Sequence, residues 1–371
     1  MGTSAASRWN VSVQSNLRTG RAHSPSIWQR IAPNRASAVA LLLALLVVGV
    51  AAPPMFQWAV LDATFPGSAR THCEVRGACW LFVAERLPQF LYGYYPAPER
   101  WRLHLIAAGF AAWCAMLMLP AFRRRLDVAI GAISVGLAAG YVLAAGGMFG
   151  LPKVETNLWG GLFVTLMLSL TAMVASFPAG VALALARHAR NPILRGLSGA
   201  FVEIIRGVPL LAILFLAVVL IPLFIPADGG IGLFARVVVG LCLYASAYMA
   251  EAIRGSLQSI PRGQFDAAAA LGLRYWPAMR LVILPQVMRR AIPNIINTFI
   301  QILKDSTLVL IVGVFDLLGM VNLAVSDPKW MTNSTEGFVF AGLVFFVLCF
   351  TMSRLSLRAE RLLSKGEGRV P

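Results

Sequence analysis

The sequence is poor in charged residues: Asp, Glu, Lys and Arg make up 13% of its 371 residues. Soluble globular chains carry about 25%, so the composition excludes an ordinary soluble enzyme and a charge-rich disordered regulator. Acidic residues are the scarcest, with 16 Asp and Glu against 32 Lys and Arg. The five Cys and four His show neither zinc-ligand spacing nor a dense disulfide framework. We therefore expect no metal site in this chain.

Long runs of apolar residues make up much of the sequence. Residues of the AVILMFWYC set make up 58% of the chain, and the mean hydropathy is +0.73. A transmembrane helix needs about 20 mostly apolar residues. Eight runs qualify and predict an all-α polytopic membrane protein with about eight transmembrane helices, at residues 37–56, 103–122, 126–148, 159–186, 209–225, 232–252, 294–314 and 337–352.

The net charge of +16 is high enough to suggest nucleic-acid binding. The apolar runs argue against that partner and for a lipid bilayer, whose cytoplasmic side attracts Lys and Arg. With a cytoplasmic N-terminus, 22 of the 32 basic residues lie in segments on one side. We therefore predict that both termini, an arm at 1–36 and a tail at 356–371, are cytoplasmic.

The chain changes character near residue 155. Before it, residues 37–154 form an accessory region with three simple spans and a long external segment, Gln57 to Arg102; after it, Pro and charged residues occur within the apolar runs. Cys73 and Cys79 fall in the external segment. In an oxidising compartment the two thiols can form a disulfide, and two unpaired thiols remain an open alternative.

A short helix with little side-chain bulk is predicted between the sixth and seventh spans. Pro261 precedes it, four consecutive alanines form its body, and Gly272 ends it, a pattern that favours a helix start, interior and stop. Such a bare helix suits docking into a cleft of another protein. An ordinary loop helix would have the same composition.

This segment resembles the EAA loop of ABC-transporter permeases, with Asp in place of the usual Glu. Asp266-Ala267-Ala268, Gly272 and Ile283-Leu284-Pro285 stand at the positions of that pattern. The resemblance implies a loop that couples to an ATPase, formed by Gly263, Asp266, Ala267, Ala268, Gly272, Leu284 and Pro285.

Four further phrases are similar, in order, to signatures of polar-amino-acid permeases: Thr165–Leu170, Arg206–Leu211, Tyr248–Gly255 and Lys304–Val309. The resemblance covers residues 155–355 and implies that the last five spans form a type I ABC importer permease core. The accessory region resembles that of the M subunit of the bacterial general L-amino-acid permease.

The resemblance also implies the partners. They are a second homologous permease subunit, a periplasmic amino-acid-binding protein and a cytoplasmic ABC ATPase dimer, assembled at the bacterial inner membrane. The sequence contains no G-x-x-x-x-G-K-[ST] phosphate-binding loop. We therefore expect a transporter subunit without enzymatic activity or a bound cofactor, with ATP and Mg on the partner ATPase.

Ionisable residues inside apolar runs are candidates for the transport pathway, because such residues face the bundle interior or a polar cavity. Lys304 and Asp305, followed by Ser306 and Thr307, lie within the seventh run, and we interpret them as part of the pathway or its gate. A structural ion pair between Lys304 and Asp305 is the alternative.

Two acid–base pairs at i,i+3 spacing are candidate structural ion pairs, and snorkelling of the two arginines to the membrane surface is the favoured alternative. The pairs are Glu203 with Arg206 and Glu251 with Arg254, both near the cytoplasmic ends of spans. Two other functions stay open at this point. One is an ion-coupled secondary amino-acid transporter, and the remote one is an intramembrane protease, because residues 196–199 spell Gly-Leu-Ser-Gly.

Overall fold

A computed structural model describes residues 34–67, 73, 77–118, 126–148, 150–189, 191–225 and 231–364. Over these ranges the chain is nearly all helical, with isolated β-bridges and no β-strand. The predicted all-α class is therefore confirmed. The predicted N-terminal arm lies outside the described residues up to residue 33, and so does the predicted tail from residue 365 onwards.

The chain forms two compact units, of which the first comprises residues 1–64 and 70–78. Its helix α1 (Arg35–Phe56) continues into a π-helical turn, Gln57–Leu61. Apolar side chains are exposed all along α1, as expected for a helix that contacts lipid. After the turn the backbone pairs with itself, since Ala78 N–H donates to the Trp58 carbonyl and Thr64 N–H to the Ala78 carbonyl, at 2.9 and 2.8 Å.

The second unit comprises residues 65–69 and 79–371. It begins with α2 (Trp80–Tyr92), α3 (Trp101–Met118) and α4 (Leu126–Ala145). A fully buried arginine, Arg102, ties this region together: Nη1 donates to the Pro152 carbonyl at 2.9 Å, and Nη2 lies 2.6 Å from the carboxylate of Glu99. The buried charge is thus paired and hydrogen-bonded, as burial requires.

Four helices follow: α5 (Gly161–Arg187), α6 (Pro192–Gly207), α7 (Leu210–Phe224) and α8 (Leu233–Gln258). The Asn191 side chain caps α6 by accepting hydrogen bonds from the N–H groups of Ile193 and Leu194. Pro209 disfavours a helical conformation at Val208, which is extended. The axes of α6 and α7 consequently differ by 108°.

The last part contains α9 (Arg262–Ala270), α10 (Tyr275–Ala278), a π-helical turn at Met279–Ile283 and α11 (Leu284–Asp305). A 3-10 helix (Ser306–Val312), α12 (Leu317–Val325) and α13 (Ser334–Ser364) follow. Helix α11 begins at Leu284, ten residues before the predicted start of the seventh span at residue 294. Exposed arginines at 289 and 290 interrupt the apolar run without interrupting the helix.

Five helical segments are long and apolar enough to cross a membrane: Ala36–Leu61, Gly161–Arg187, Leu233–Gln258, Tyr275–Val312 and Met331–Arg358. A sixth results if the bent pair α6 and α7 is taken as one span, and Gly131–Ala145 is a shorter apolar helix. These segments confirm the polytopic architecture over the described residues. The count of eight spans stays a prediction.

The two largest apolar clusters among the described residues of the second unit share three helices. The larger one is centred on α5, α8 and α11 and includes Val164, Leu168, Leu241 and Ile302. The other lies where α9 and α10 pack on the same three helices, and consists of Ala184, Met249, Ile253, Leu257, Ile260, Met279, Ile283, Val287, Ala291 and Ile295. The segment after α8 is therefore fixed to the helix ends and does not project from them.

Three glycines join α2, α5 and the segment before α12. Gly93 and Gly161 have φ of +64° and +67°, a region that favours glycine. A Cβ on Gly93 would lie 2.5 Å from the Cα of Gly160, and one on Gly161 would lie 2.3 Å from the Phe90 carbonyl oxygen. Gly161 N–H donates to the Phe315 carbonyl at 3.0 Å. The three glycines of this joint were not among the predicted functional or structural positions.

Candidate functional site

A polar face runs along the second half of α8. Tyr244, Tyr248 and Glu251 occupy positions i, i+4 and i+7, which lie on one side of a helix. The rings of the two tyrosines lie 4.5 Å apart between centroids. Tyr244 is buried and Tyr248 is half-buried. This face therefore places two phenol groups and a carboxylate on one side of α8.

The end of α11 meets this face at Asp305. The Asp305 carboxylate lies beside Gln301 and Tyr244, and Gln301 Nε2 donates to Tyr244 Oη at 3.4 Å. Oδ2 of Asp305 is buried and has no hydrogen-bond partner among the described residues. Lys304 is exposed, and the described residues contain no ion pair between it and Asp305. The alternative of a structural ion pair between them therefore finds no support.

Ser306 and Thr307, the other two residues predicted for the pathway, use their hydroxyl groups locally. Ser306 is buried and donates to the Leu303 carbonyl at 2.8 Å, and Thr307 donates to the Lys304 carbonyl at 2.9 Å. Both bonds lie where α11 changes into the 3-10 helix. Of the predicted pathway residues, Asp305 is therefore the one with an unsatisfied buried oxygen.

An ion cluster joins the ends of α5, α6 and α8. Arg187 Nη1 lies 3.1 Å from the carboxylate of Glu251, and Nη2 lies 3.1 Å from that of Glu203. Arg206 Nη1 lies 3.4 Å from the same oxygen of Glu251, and Arg254 Nε donates to Glu251 at 2.9 Å. Glu251 thus faces three guanidinium groups.

The cluster corrects one predicted pairing. Glu251 and Arg254 pair at i,i+3 within α8, but Glu203 and Arg206 do not pair with each other. The physical reason is packing: α5 and α8 bring Arg187 and Glu251 within reach, and these partners replace the one on the same helix. Arg187 was not anticipated, because its partners lie 16 and 64 residues away in sequence.

The polar face formed by Asp305, Tyr244 and Tyr248 is continuous with the ion cluster around Glu251. The Arg206 guanidinium lies over the Tyr248 ring, 5.6 Å from its centroid, and Tyr248 stacks on Tyr244. A track of polar side chains therefore leads from Asp305 at the end of α11 to the ion cluster at the end of α8. Tyr244, Tyr248 and Gln301 carry no distinctive signal in a single sequence.

The loop resembling the EAA pattern forms a compact, exposed helix. Gly272 N–H donates to the Ala269 carbonyl at 2.9 Å, and Leu273 N–H donates to the Ala268 carbonyl at 3.2 Å; together these bonds are a Schellman motif. Gly272 has φ of +72°, as this motif requires. Gly263, Asp266, Ala267 and Gly272 are exposed, whereas Ala268 is buried.

Hydrogen bonds attach α9 to the start of α11. Gln286 Nε2 donates to Gln264 Oε1 at 2.9 Å, and Arg290 Nη1 donates to the Ser259 carbonyl at 2.6 Å. Leu284 is half-buried and Pro285 is exposed in the first turn of α11. Large apolar side chains surround this helix and are exposed, namely Leu271, Trp276 and Leu281, at 78%, 65% and 67%. These three exposed side chains were not among the predicted site residues.

The cysteines fall into two groups. Cys73 and Cys79 are disulfide-bonded, whereas Cys114, Cys242 and Cys349 are free. Among the described residues no group of three or more His, Cys, Asp or Glu side chains could hold a metal ion.

Asp316 is a buried acid that the sequence did not single out. Its Oδ1 accepts from Gly319 N–H at 2.9 Å and caps α12, while Leu317 N–H donates to Thr165 Oγ1 on α5 at 3.0 Å. Oδ2 is buried without a partner in the described part of the chain. Burial raises the pKa of this carboxyl to about 7.

The chain is similar to known permease components of transport systems. Residues 176–365 match the family described as "Binding-protein-dependent transport system inner membrane component". The chain is 42% identical over 315 residues to the inner membrane amino-acid ABC transporter permease protein YhdY of Escherichia coli, covering 85% of this chain and 86% of that protein. This alignment is longer than the predicted permease domain, so YhdY shares part of the accessory region.

A second relative is the glutamate/glutamine/aspartate/asparagine transport system permease protein BztC of Rhodobacter capsulatus, 36% identical with 79% of this chain and 80% of that protein covered. A crystal structure of an amino acid ABC transporter with histidines is 32% identical and covers 54% of this chain and 91% of that chain, with a TM-score of 0.49. The chain therefore belongs to the family of binding-protein-dependent transport system inner membrane components and is a multi-pass inner-membrane permease of an ABC importer, a non-enzymatic transport component.

Proposed function

We propose that this chain moves L-amino acids across the inner membrane under the control of a separate ATPase that docks on α9. The observation that carries the proposal is the surface around α9, where a helix of mostly small side chains lies beside exposed Leu271, Trp276 and Leu281. Exposed apolar groups in such a patch mark an interaction site. Alanines and glycines let a partner approach the α9 backbone closely.

The proposal gives the cluster beneath α9 a role in force transmission. Ile283 lies immediately before α11, and Val287 lies in its first turn. Both belong to the same apolar cluster as Met249 and Ile253 of α8. Movement of a docked ATPase would displace α9, and through the bond between Gln264 and Gln286 it would displace α11. Asp305 lies at the far end of α11, so docking and transport are connected by one helix.

The polar track is the proposed route of the amino acid. A carboxylate with an unsatisfied buried oxygen, Asp305, can accept the ammonium group of a passing amino acid, and Tyr244 and Gln301 supply further hydrogen-bonding groups. Lys304 is exposed on the same turn and is assigned to the gate. No cofactor is assigned to this chain, and ATP and Mg belong to the partner.

The proposed importer contains two further components beside this chain and its ATPase. A second homologous permease subunit would pair with this chain, and a periplasmic amino-acid-binding protein would deliver the substrate. Both termini are placed in the cytoplasm, with an accessory region at 37–154 and a permease domain at 155–355. In the protease-like sequence at 196–199, the hydroxyl of Ser198 donates to the Leu194 carbonyl at 2.7 Å, which disfavours a nucleophilic role.

Copurification tests the proposal directly. Under mild detergent we expect a P-loop ATPase to copurify with this chain. In the reconstituted complex, adding an amino acid together with its binding protein should increase the rate of ATP hydrolysis. Exchanging Leu271 and Trp276 for Ser should release the ATPase, while the same exchange at exposed Phe346 and Val347 on α13 should not. Amino-acid uptake driven by an ion gradient without any ATPase would refute the proposal in favour of a secondary transporter.

A further inference from the structure

A cavity of about 530 Å³ opens beside the ion cluster at the ends of α5, α6 and α8. Cavities of about 300–1,000 Å³ are of the size that holds small ligands. Six polar side chains line its wall: Arg187, His188, Arg195, Glu203, Arg254 and Gln258.

Positive charge exceeds negative charge around this cavity. The carboxylates of Glu203 and Glu251 together face the guanidinium groups of Arg187, Arg206 and Arg254. Arg195 adds a fourth guanidinium; it is exposed and makes no ion pair within the described residues. Two carboxylates cannot neutralise four guanidinium groups, so the cavity attracts an anion.

Two glycines of α6, Gly196 and Gly199, expose backbone to the cavity between the side chains of Arg195 and Glu203. Gly196 and Gly199 lie inside the helix, and a Cβ on either would meet nothing within 4 Å. Glycine inside a helix costs about 1 kcal/mol relative to Ala, and packing within this chain does not require it at either position. The two glycines of the Gly-Leu-Ser-Gly sequence therefore leave room on the cavity side of α6.

An exposed apolar face of α6 borders the cavity. Ile193, Leu197 and Ile204 are 70%, 67% and 64% exposed, and their spacing places them on one side of the helix. Since α7 is wholly apolar and α6 lies at 108° to it, a membrane-spanning α7 places α6 nearly parallel to the bilayer surface. Amphipathic helices in this orientation insert their apolar face among lipid chains.

We propose that the cavity binds the phosphate headgroup of one anionic phospholipid, with the acyl chains lying on the apolar face of α6. Arg195, Arg187 and Arg254 surround the phosphate, because guanidinium groups donate paired hydrogen bonds to phosphate oxygens. Gly196 and Gly199 let the glycerol part approach the helix backbone. The proposal rests on the membrane placement of α7 and not on ATPase docking at α9, so either can fail alone.

Lipid titration of the intact, detergent-purified transporter tests this site by native mass spectrometry. We expect one phosphatidylglycerol per copy of this chain to bind at least about tenfold more tightly than phosphatidylcholine with the same acyl chains. Arg195→Gln should weaken phosphatidylglycerol binding about fivefold, the loss expected for one basic residue, and should leave phosphatidylcholine binding unchanged. Gly199→Leu should place an apolar side chain in the cavity beside α6 and abolish the preference.

Two matched variants control for general effects. Arg358→Gln removes an exposed arginine from α13, and Gly342→Leu places the same side chain at a helix glycine with open space; neither should change the preference. Equal binding of the two lipids, or equal losses for Arg358→Gln and Arg195→Gln, would overturn the proposal. Displacement of the lipid by millimolar inorganic phosphate would assign the cavity to a free anion, and a Leu197→Cys disulfide between two copies would assign the α6 face to a subunit interface.

Discussion

Arg187 Nη1 lies 3.1 Å from Oε2 of Glu251 and so joins the end of α5 to the last turns of α8. The side chains of Arg187 and Glu251 are 18% and 24% exposed, so the pair is shielded from water on most sides. Removing one partner from such a pair leaves the other charge poorly solvated. Because Glu251 also faces Arg206 and Arg254, its loss would leave these two guanidinium groups without an ion-pair partner among the described residues, and Arg187 would keep only Glu203.

Glu251→Gln should therefore destabilise the protein by about 1–3 kcal/mol, the range for losing hydrogen bonds to a charged group. Glu203→Gln should cost less than about 1 kcal/mol, because Glu203 is 72% exposed and exposed ion pairs contribute little. Thermal unfolding of the purified variants in one detergent measures both. Equal losses would show that Glu251 is not the centre of the cluster.

The second prediction concerns the end of α11. Asp305→Asn removes the charge of a partly buried carboxylate while keeping the shape of the side chain, so uptake of amino acid should fall at least about tenfold, corresponding to about 1.4 kcal/mol. Lys304→Met should also lower uptake if Lys304 belongs to the gate. Exposed Lys153 lies outside the polar track, so Lys153→Met is the control that should transport normally. Uptake in membrane vesicles, normalised to the amount of inserted protein, is the measurement.

Helix positions, including that of the short helix α9, could be predicted from sequence because their signals are local. Runs of apolar residues predicted where the membrane-spanning helices lie, and the Pro261 and Gly272 flanks predicted both ends of α9. The same locality explains why α11 begins ten residues before the predicted seventh span. Two exposed arginines on the first turns of α11 lowered the hydropathy there without ending the helix.

The polar track and the glycine joint could not be predicted, since they depend on contacts between distant residues. Gln301 and Tyr244 lie 57 positions apart, and nothing in either local sequence marks the partner. Glu203 illustrates the same dependence on distant contacts. The i,i+3 spacing predicted Arg206 as its partner, but tertiary packing places Arg187 beside it. Local spacing states which pairs can form, and packing decides which of them do.

The third prediction separates charge from backbone strain at Gly272. Its φ of +72° disfavours most side chains, but Asn and Asp adopt this conformation more readily than other residues. Gly272→Asn should therefore keep ATPase binding near the wild-type level, and Gly272→Asp should reduce it by placing a negative charge on the docking surface. Copurified ATPase per permease measures the difference. Equal losses in the two variants would assign the effect to the backbone and remove Gly272 from the docking surface.

The fourth prediction tests the glycine joint. At Gly161 an added methyl group would meet the Phe90 carbonyl oxygen at 2.3 Å, and the φ of +67° is itself unfavourable for Ala. Gly161→Ala should destabilise the protein by more than about 1 kcal/mol. Gly131→Ala in α4 meets nothing within 4 Å and should be neutral or stabilising by up to about 1 kcal/mol. Melting temperatures of both variants, measured side by side, decide whether the joint is as tight as the distances indicate.

The fifth prediction is a pH dependence of stability caused by Asp316. Burial raises the pKa of this carboxyl from its ordinary value of 3.8 to about 7, so between these values the folded chain holds the proton more tightly than the unfolded chain. Stability from this group is therefore complete at low pH and is lost as the pH rises through about 7. The full effect is at most about 4 kcal/mol, since each pKa unit corresponds to about 1.4 kcal/mol.

Asp316→Asn isolates this contribution. The amide oxygen can still accept from Gly319 N–H and cap α12, but it carries no ionisable proton. The melting temperature of the variant minus that of the wild type should therefore be larger at about pH 8 than at about pH 5, because only the wild type must bury a charge at the higher pH. Asp327→Asn is the control, since Asp327 is partly exposed and paired with Arg86. A difference for Asp316→Asn that does not grow with pH would show that this carboxyl is already ionised in the folded protein at about pH 5.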